Sequence, residues 1–244
     1  MTEFADPEFY GDRWAAVYDQ HHGALEAGAA VAFLAGLAGR GRVLELAIGT
    51  GRVALPLAAQ GVPVEGLDAS AAMVERLRAK PGGTALPVTI GDMAQVPVDG
   101  SFTLVYLVFN TLFGLLSPDR QADCFGNVAR VLEPGGVFVI ECFVPDPARF
   151  DRGQRVQTRA VTEDSATLEL SIHDSVTQCV RTQIVTLDQR GMQMHPVALR
   201  YSWPSELDLM ARQAGLQLRD RYGDWDRRLF DAGSQKHVSV YQRA

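Results

Sequence analysis

The sequence predicts an α/β fold: a mostly parallel sheet of seven strands with helices on both faces, and an antiparallel β insertion after the fifth strand. Three observations carry this. Short apolar runs alternate with helical segments over residues 42–143, the pattern of βαβ units. Runs such as Leu104-Val105-Tyr106-Leu107-Val108-Phe109 lack polar alternation, as strands buried on both faces do. From Gln154 to Tyr201 the chain changes to polar/apolar stretches rich in Val, Thr and Leu, which suits an antiparallel sheet with one wet face.

Residues 7–38 read as helical. Trp14, Val17 and Tyr18 stand at i, i+3 and i+4, and an Ala-rich stretch follows until Gly39-Arg40-Gly41 stops it. The first strand is Arg42–Ala47, followed by a helix over Arg52–Gln60 that ends at Gly61. Pro63–Asp68 is the second strand. Ser70 caps a helix running to Lys80, stopped by Pro81-Gly82-Gly83. Leu86–Ile90 and Phe102–Phe109 are the third and fourth strands, and a helix over Pro118–Leu132 starts after Ser117. A Pro134-Gly135-Gly136 turn precedes the fifth strand, Val137–Phe143. In the insertion, turns fall near Glu163-Asp164 and Asp188–Gly191. A helix over Ser205–Gln213 has Pro204 near its start and Gly215 after its end. Leu216–Tyr222 and His237–Gln242 complete the sheet. The predicted organisation is 1–150 for a helical lid and ligand-binding core, 151–202 for the insertion, and 203–244 for the final helix and strands.

The 244 residues are 47% hydrophobic and 21% charged, enough to bury a full core without disulfides or metal. The net charge of −6 and the lack of a Lys/Arg run argue against a nucleic-acid partner. Cys124, Cys142 and Cys179 are far apart, so no zinc motif forms and a reducing compartment is expected. The acidic N-terminus has no signal-peptide pattern, and no apolar run is long enough to span a membrane. A cytoplasmic protein is expected, without a membrane partner; a homodimer stays open.

Four motifs point to a ligand site. Glu45-Leu46-Ala47-Ile48-Gly49-Thr50-Gly51 joins the first strand to the next helix; its glycines allow close backbone approach, and the helix start offers free N–H groups. Asp68 ends the second strand, where a carboxylate can accept from both ribose hydroxyls of a nucleoside; capping the next helix is the alternative role, but Ser70 already fills it. Gly91-Asp92-Met93 follows the third strand, placing Asp92 to accept from an adenine amino group and Met93 to pack on the ring. Phe109-Asn110 ends the fourth strand, where ligands of open parallel sheets bind.

In order and spacing these motifs resemble the class I S-adenosylmethionine (SAM)-dependent methyltransferases, especially small-molecule enzymes such as the amino-sugar N,N-dimethyltransferases and glycine N-methyltransferase. Their first motif, acidic-x-Gly-x-Gly-x-Gly, is matched by Glu45, Ala47, Gly49 and Gly51, with Ala47 a small substitute for the first glycine. Leu132-Glu133-Pro134-Gly135-Gly136 matches their turn before the fifth strand, whereas Thr103 departs from a common Asp. The resemblance implies a Rossmann-like fold, SAM as methyl donor with S-adenosylhomocysteine as product, and an insertion roofing the acceptor pocket. It extends the cofactor set to Arg52, Ala69 and Met73. Residues 9–19 resemble the family's aromatic N-terminal segment, implying that Tyr10, Trp14 and Tyr18 cover the cofactor and that Arg13 binds its carboxylate.

The expected activity is methyl transfer to an N or O nucleophile of a small-molecule acceptor, with acidic groups in the pocket favouring an amine. Transfer from a sulfonium needs alignment and no metal; an amine must be unprotonated and a hydroxyl benefits from a base. His21, His173 and His195 are the candidate bases, with His22 beside the first. Phe143, Tyr201, Asp224 and Trp225 are candidate acceptor contacts, the last two alternatively capping the sheet edge. Two other readings stay open: a SAM-binding regulator or partner subunit without transferase activity, and an NAD(P)-dependent oxidoreductase. Against the latter, the third glycine of Gly-x-Gly-x-x-Gly is missing after Gly51.

Overall fold

Each buried strand of the first half is followed by a connection that returns the chain to the same end of the sheet, so strands one to five run parallel. In the computed structural model, which describes residues 3–23 and 27–244, these are β1 (Val43–Leu46), β2 (Val64–Asp68), β3 (Val88–Ile90), β4 (Phe102–Leu107) and β5 (Leu132–Phe143). With β10 (Leu216–Tyr222) and β11 (Lys236–Arg243) they form a seven-stranded sheet of order 10-11-5-4-1-2-3, in which β11 is antiparallel to both neighbours. Strand order reverses between β1 and β4, the place where open α/β sheets bind ligands.

Side chains alternate between two apolar layers. Phe102, Val105 and Leu107 face a layer shared with α6 (Pro118–Val131) and α7 (Pro204–Gln213). Leu104 and Tyr106 face a layer shared with α3 (Gly28–Ala38) and α4 (Ala54–Ala59). The helix between β2 and β3, α5 (Ala71–Arg78), starts at Ser70, whose Oγ accepts from the Met73 N–H at 3.3 Å. Ser117 caps α6 in the same way, through the Arg120 N–H at 3.2 Å.

Two local expectations change. The single helix over 7–38 is instead α1 (Phe9–Trp14), α2 (Tyr18–His22) and α3, with residues 24–26 outside the described residues. The break at 15–17 lets α1 lie against α5 and the insertion, while α2 turns toward the β1 loop. The turn predicted before β5 is absorbed into that strand. Leu132 pairs with Phe102, and a register shift around Gly135 (φ +78°) leads back to pairing at Val137.

The insertion is a four-stranded antiparallel meander of β6 (Gln154–Val161), β7 (Ser165–Asp174), β8 (Cys179–Asp188) and β9 (Gly191–Arg200). Polar groups are buried on its inward face beside Ile184 and Val197, and several apolar side chains are exposed on its outward face. On β7, Glu169 and Ser171 are buried, while Leu170 and Ile172 are 39% and 65% exposed. A buried polar network ties the meander to the core. Arg200 donates to Gln121 Oε1 at 3.0 Å, to Ser202 Oγ at 2.7 Å and to Glu206 at 3.2 Å.

Candidate active site

At the carboxyl ends of β1, β2 and β4 a cavity of about 990 Å³ opens between the parallel sheet, α1, α2 and the inward face of the meander. That size is at the upper end for small-molecule sites, roughly 300–1,000 Å³. The floor is the loop after β1. Ala47 (φ +52°) and Gly49 (φ +57°) both take left-handed backbone. An alanine pays a steric penalty there that a glycine does not, a physical reason for the glycine usual at that motif position. A Cβ added to Gly49 would find nothing nearer than the Ala47 carbonyl at 3.9 Å, so it would project into the open cavity. Gly51 serves packing instead: a Cβ there would lie 2.1 Å from Leu77 Cδ1. Gly51 does not line the cavity.

Asp68 is 8% exposed and lines the cavity. It accepts from the Gly49 N–H at 2.7 Å and the Ser70 N–H at 2.9 Å, one on each oxygen. Burial raises its carboxyl above the ordinary aspartate value, and the two N–H donors pull in the opposite direction. Each oxygen retains a lone pair for a ligand hydroxyl. Ala69, Met73, Gly91 and Met93 continue the wall. Asp92 also lines it, but not as a free carboxylate: it accepts from the Ala94 N–H at 2.9 Å and pairs with Arg120 at 2.5 Å. Phe109 and Asn110 close the β4 side, both at positive φ. The Asn110 side-chain oxygen accepts from the Phe143 N–H at 2.6 Å, which sets this turn.

Glu45 departs from its predicted place. It is 2% exposed and lies beneath the loop, where its carboxyl accepts from the Tyr106 hydroxyl at 2.8 Å. Burial pushes its pKa up to about 8, against the Tyr106 hydroxyl and the Arg52 charge, which lower it. Arg52 is outside the cavity lining and stacks over Phe109 at 5.0 Å. Arg13 is exposed, over the Phe9 ring at 5.3 Å. Burial of the strand and the pull of aromatic neighbours thus take three charged side chains of the predicted cofactor set away from the cavity.

The N-terminal aromatics do meet at the site. Tyr10, Trp14, Tyr18, His21 and His22 line the cavity. Tyr10 stacks on Trp14 at 5.7 Å, and the Trp14 Nε1–H donates to the Pro196 carbonyl of β9 at 3.0 Å, which ties this segment to the meander. Gly11 permits the close docking of α1, since a Cβ there would lie 2.3 Å from Ser70 Cβ. Asp19 receives the Thr50 hydroxyl at 2.7 Å and Lys80 Nζ at 2.9 Å, anchoring α2 to the β1 loop. His195 packs its ring on Trp14 at 5.0 Å and on His21 at 5.6 Å, just outside the cavity lining. Burial lowers the pKa of both His22 and His195.

The remaining predicted contacts lie elsewhere. His173 stacks on Phe150 at 4.7 Å and bonds the Tyr201 hydroxyl at 3.0 Å; neither His173 nor Tyr201 reaches the cavity. Phe143 packs edge-on against Phe113 within the core. Trp225 packs against Phe33 in the opposite apolar layer, and Asp224 pairs with Lys236 at 2.6 Å. Among the cavity groups that the sequence does not point to are two cations, Arg120 and Arg159. Arg120 lies in the first turn of α6 and Arg159 on β6, where no linear motif marks them.

Fold and cavity together define an α/β protein with a ligand cleft at the carboxyl ends of its strands, covered by a second sheet. Comparisons with known proteins sharpen this. A family model described as a methyltransferase domain matches residues 43–136. The solved structure of the CcbJ methyltransferase from Streptomyces caelestis is 41% identical, covers 96% of this chain and 98% of its own, and superposes with a TM-score of 0.90. The cypemycin N-terminal methyltransferase of a Streptomyces species is 27% identical over 98% of this chain and 99% of its own. CalS10, an amino pentose methyltransferase from Micromonospora echinaspora solved with SAM bound, shares the fold at 22% identity and TM-score 0.73, covering 93% of this chain and 97% of its own. The chain belongs to the class I SAM-dependent methyltransferases. The oxidoreductase reading and that of a SAM-binding protein without transferase activity are not favoured.

The residues present fit SAM. The Gly49 position leaves open space where any other side chain would intrude, and Asp68 is a held carboxylate with free lone pairs. Among the described residues no group of three or more His, Cys, Asp or Glu is arranged to hold a metal ion, and no helix is long and apolar enough to cross a membrane.

Proposed function

We propose that the chain methylates an amine nitrogen of a small metabolite, with the nucleoside of SAM on Asp68 and the acceptor beneath the meander. Asp68 carries the reading: it is a mostly buried carboxylate held by two backbone N–H groups and faces the cavity. In this reading Asp68 takes the ribose hydroxyls, Met93 packs on the adenine, and Asp92, already paired with Arg120, accepts from the adenine amino group with a remaining lone pair. Tyr10, Trp14 and Tyr18 cover the methionine end. The donor supplies an electrophilic methyl on a sulfonium that leaves neutral. What the protein supplies is alignment and exclusion of water. The 27%-identical relative is an N-terminal methyltransferase by name, which supports nitrogen over oxygen.

Deprotonation of the acceptor falls to His22 rather than His173. His22 lines the cavity, and its Nδ1 lies 3.3 Å from the Tyr18 carbonyl. A proton held on Nδ1 by that carbonyl leaves Nε2 as the acceptor. Burial keeps the ring neutral and able to take a proton.

The organisation proposed is a lid and SAM-binding core over 1–150, a roof over 151–202 and a closing segment over 203–244. We place the protein in the cytoplasm, without nucleic-acid partners. A homodimer formed through the roof is supported by its outward apolar side chains, among them Val156, Ile172 and Met192 at 72%, 65% and 64% exposed.

The test is calorimetric titration with SAM, beside Asp68→Ala and an NAD control. Asp68→Ala weakens SAM binding at least tenfold, about 1.4 kcal/mol, and NAD does not bind. Absence of SAM binding to the unaltered chain would sink the reading.

A further inference from the structure

The meander's inward face carries a charge arrangement that neither SAM nor the transfer step uses. Glu169 is 3% exposed. It accepts from Arg159 Nε at 2.6 Å and also from Arg159 Nη2, and from the Ser171 hydroxyl at 3.3 Å. Arg149 approaches its other oxygen at 3.7 Å. Burial lowers the Arg149 pKa, and the charges of Arg155 and Arg159 add to this while Glu169 and Asp146 oppose it. Two guanidinium groups, Arg159 and Arg149, therefore flank one buried carboxylate, an excess of positive charge in a chain of net charge −6.

The geometry of Arg159 directs that charge. Two of its nitrogens are held by Glu169, yet its side chain is 56% exposed and lines the cavity. His22, whose pKa is lowered mainly by burial, lines the same cavity, and the Arg159 charge adds slightly to that lowering. A guanidinium fixed by a buried carboxylate still has N–H donors to spare, in a planar fork suited to carboxylate and phosphate oxygens. Fixing it beforehand also removes much of the side-chain ordering cost of binding.

We propose that Arg159, positioned by Glu169, is an anion clamp for the acceptor, so that the substrate carries a carboxylate or phosphate group as well as the nucleophile. The inference rests on the reading of the cavity as a methyl-transfer site and adds the acceptor's charge. Arg159 and His22 both line the cavity, so one acceptor can present its anionic group to the first and its nucleophile to the second. Arg159 thereby selects among amines, while Glu169 acts through it as a positioning residue.

The test uses full-length protein saturated with S-adenosylhomocysteine, titrated calorimetrically with inorganic pyrophosphate and, separately, with N-acetylglycine. The first step, binding of S-adenosylhomocysteine, checks the cavity reading by itself. At least one anion is expected to bind; pyrophosphate binding identifies a phosphate-bearing acceptor and N-acetylglycine binding a carboxylate-bearing one. Arg159→Gln is expected to weaken that anion at least fivefold and to leave S-adenosylhomocysteine binding unchanged. Glu169→Gln is expected to act in the same direction, with Arg159→Lys between Arg159→Gln and the unaltered chain. If neither anion binds, or if Arg159→Gln binds both as well as the unaltered chain does, the clamp is overturned while the cavity reading stands. If S-adenosylhomocysteine itself fails to bind, the cavity reading falls and the clamp with it.

Discussion

The two sheets of this molecule use the same alternation of side chains to different ends. In the parallel sheet both faces are apolar and both are covered; Leu104, Val105, Tyr106 and Phe138 are inaccessible to solvent. In the meander the inner face mixes polar and apolar groups, with Glu169 and Ser171 buried beside Ile184 and Val197, while Leu170 and Ile172 on the other face are exposed. The difference teaches that the first sheet is organised around the removal of apolar surface from water. The second is organised around what its inner face must present to a cavity. Satisfied hydrogen bonds make this burial tolerable: Glu169 has Arg159 and Ser171, and Ser171 is also 2.9 Å from the Thr182 hydroxyl.

The widest contrast is between core and roof truncations. Phe138→Ala empties a fully buried site and should cost about 3–5 kcal/mol, whereas Ile172→Ala should stay within roughly 0.5 kcal/mol when unfolding is followed at low protein concentration. A large loss at Ile172 under dilute conditions would mean that the outward face is covered within the single chain, and the comparison would fail.

Next in size is the buried acid beneath the β1 loop. Glu45 has a pKa raised from 4.5 to about 8 in the folded chain. The native state therefore holds a proton that the unfolded chain releases above pH 4.5. Its contribution to stability is full below that pH and is lost as pH rises through about 8. Urea unfolding at pH 5 and pH 8 should differ by on the order of 3 kcal/mol from this group, a difference that Glu45→Gln removes. An equal pH dependence in the variant would show that the group is not buried as described.

The smallest effect concerns the tie between lid and roof. Trp14→Phe deletes the donor to the Pro196 carbonyl and should cost about 1 kcal/mol. Amide exchange should rise in β9 and α1 and remain unchanged in β4 and β5. Uniform acceleration would mean that the two sheets open as one unit.

Much of the parallel half was legible because its signals are local. Ser70 and Ser117 cap the predicted helices, and β1, β2 and β4 end within two residues of their expected bounds. Asp68, Met93 and Asn110 lie at strand ends, and a strand end points to the cleft whatever the rest of the fold does. The roof was legible only as strands. Placing His173, Tyr201, Asp224 and Trp225 required knowing which face or layer each occupies, and alternation reports a period without saying which phase is inside. Glu45 was misplaced for a related reason: position in a motif does not reveal whether a side chain points at the ligand or beneath the loop.

By itself the sequence determined the order of elements, the glycine turn, the carboxylate after β2 and the family these imply, because each depends on backbone preferences and spacing along the chain. Only the tertiary structure decided which groups share the cavity. Arg159 and His22 come from segments far apart in sequence, and they share the cavity because the meander folds over α1 and α2. That orientation is set by long-range contacts such as Trp14 with Pro196 and Gln121 with Arg200, which no local pattern encodes.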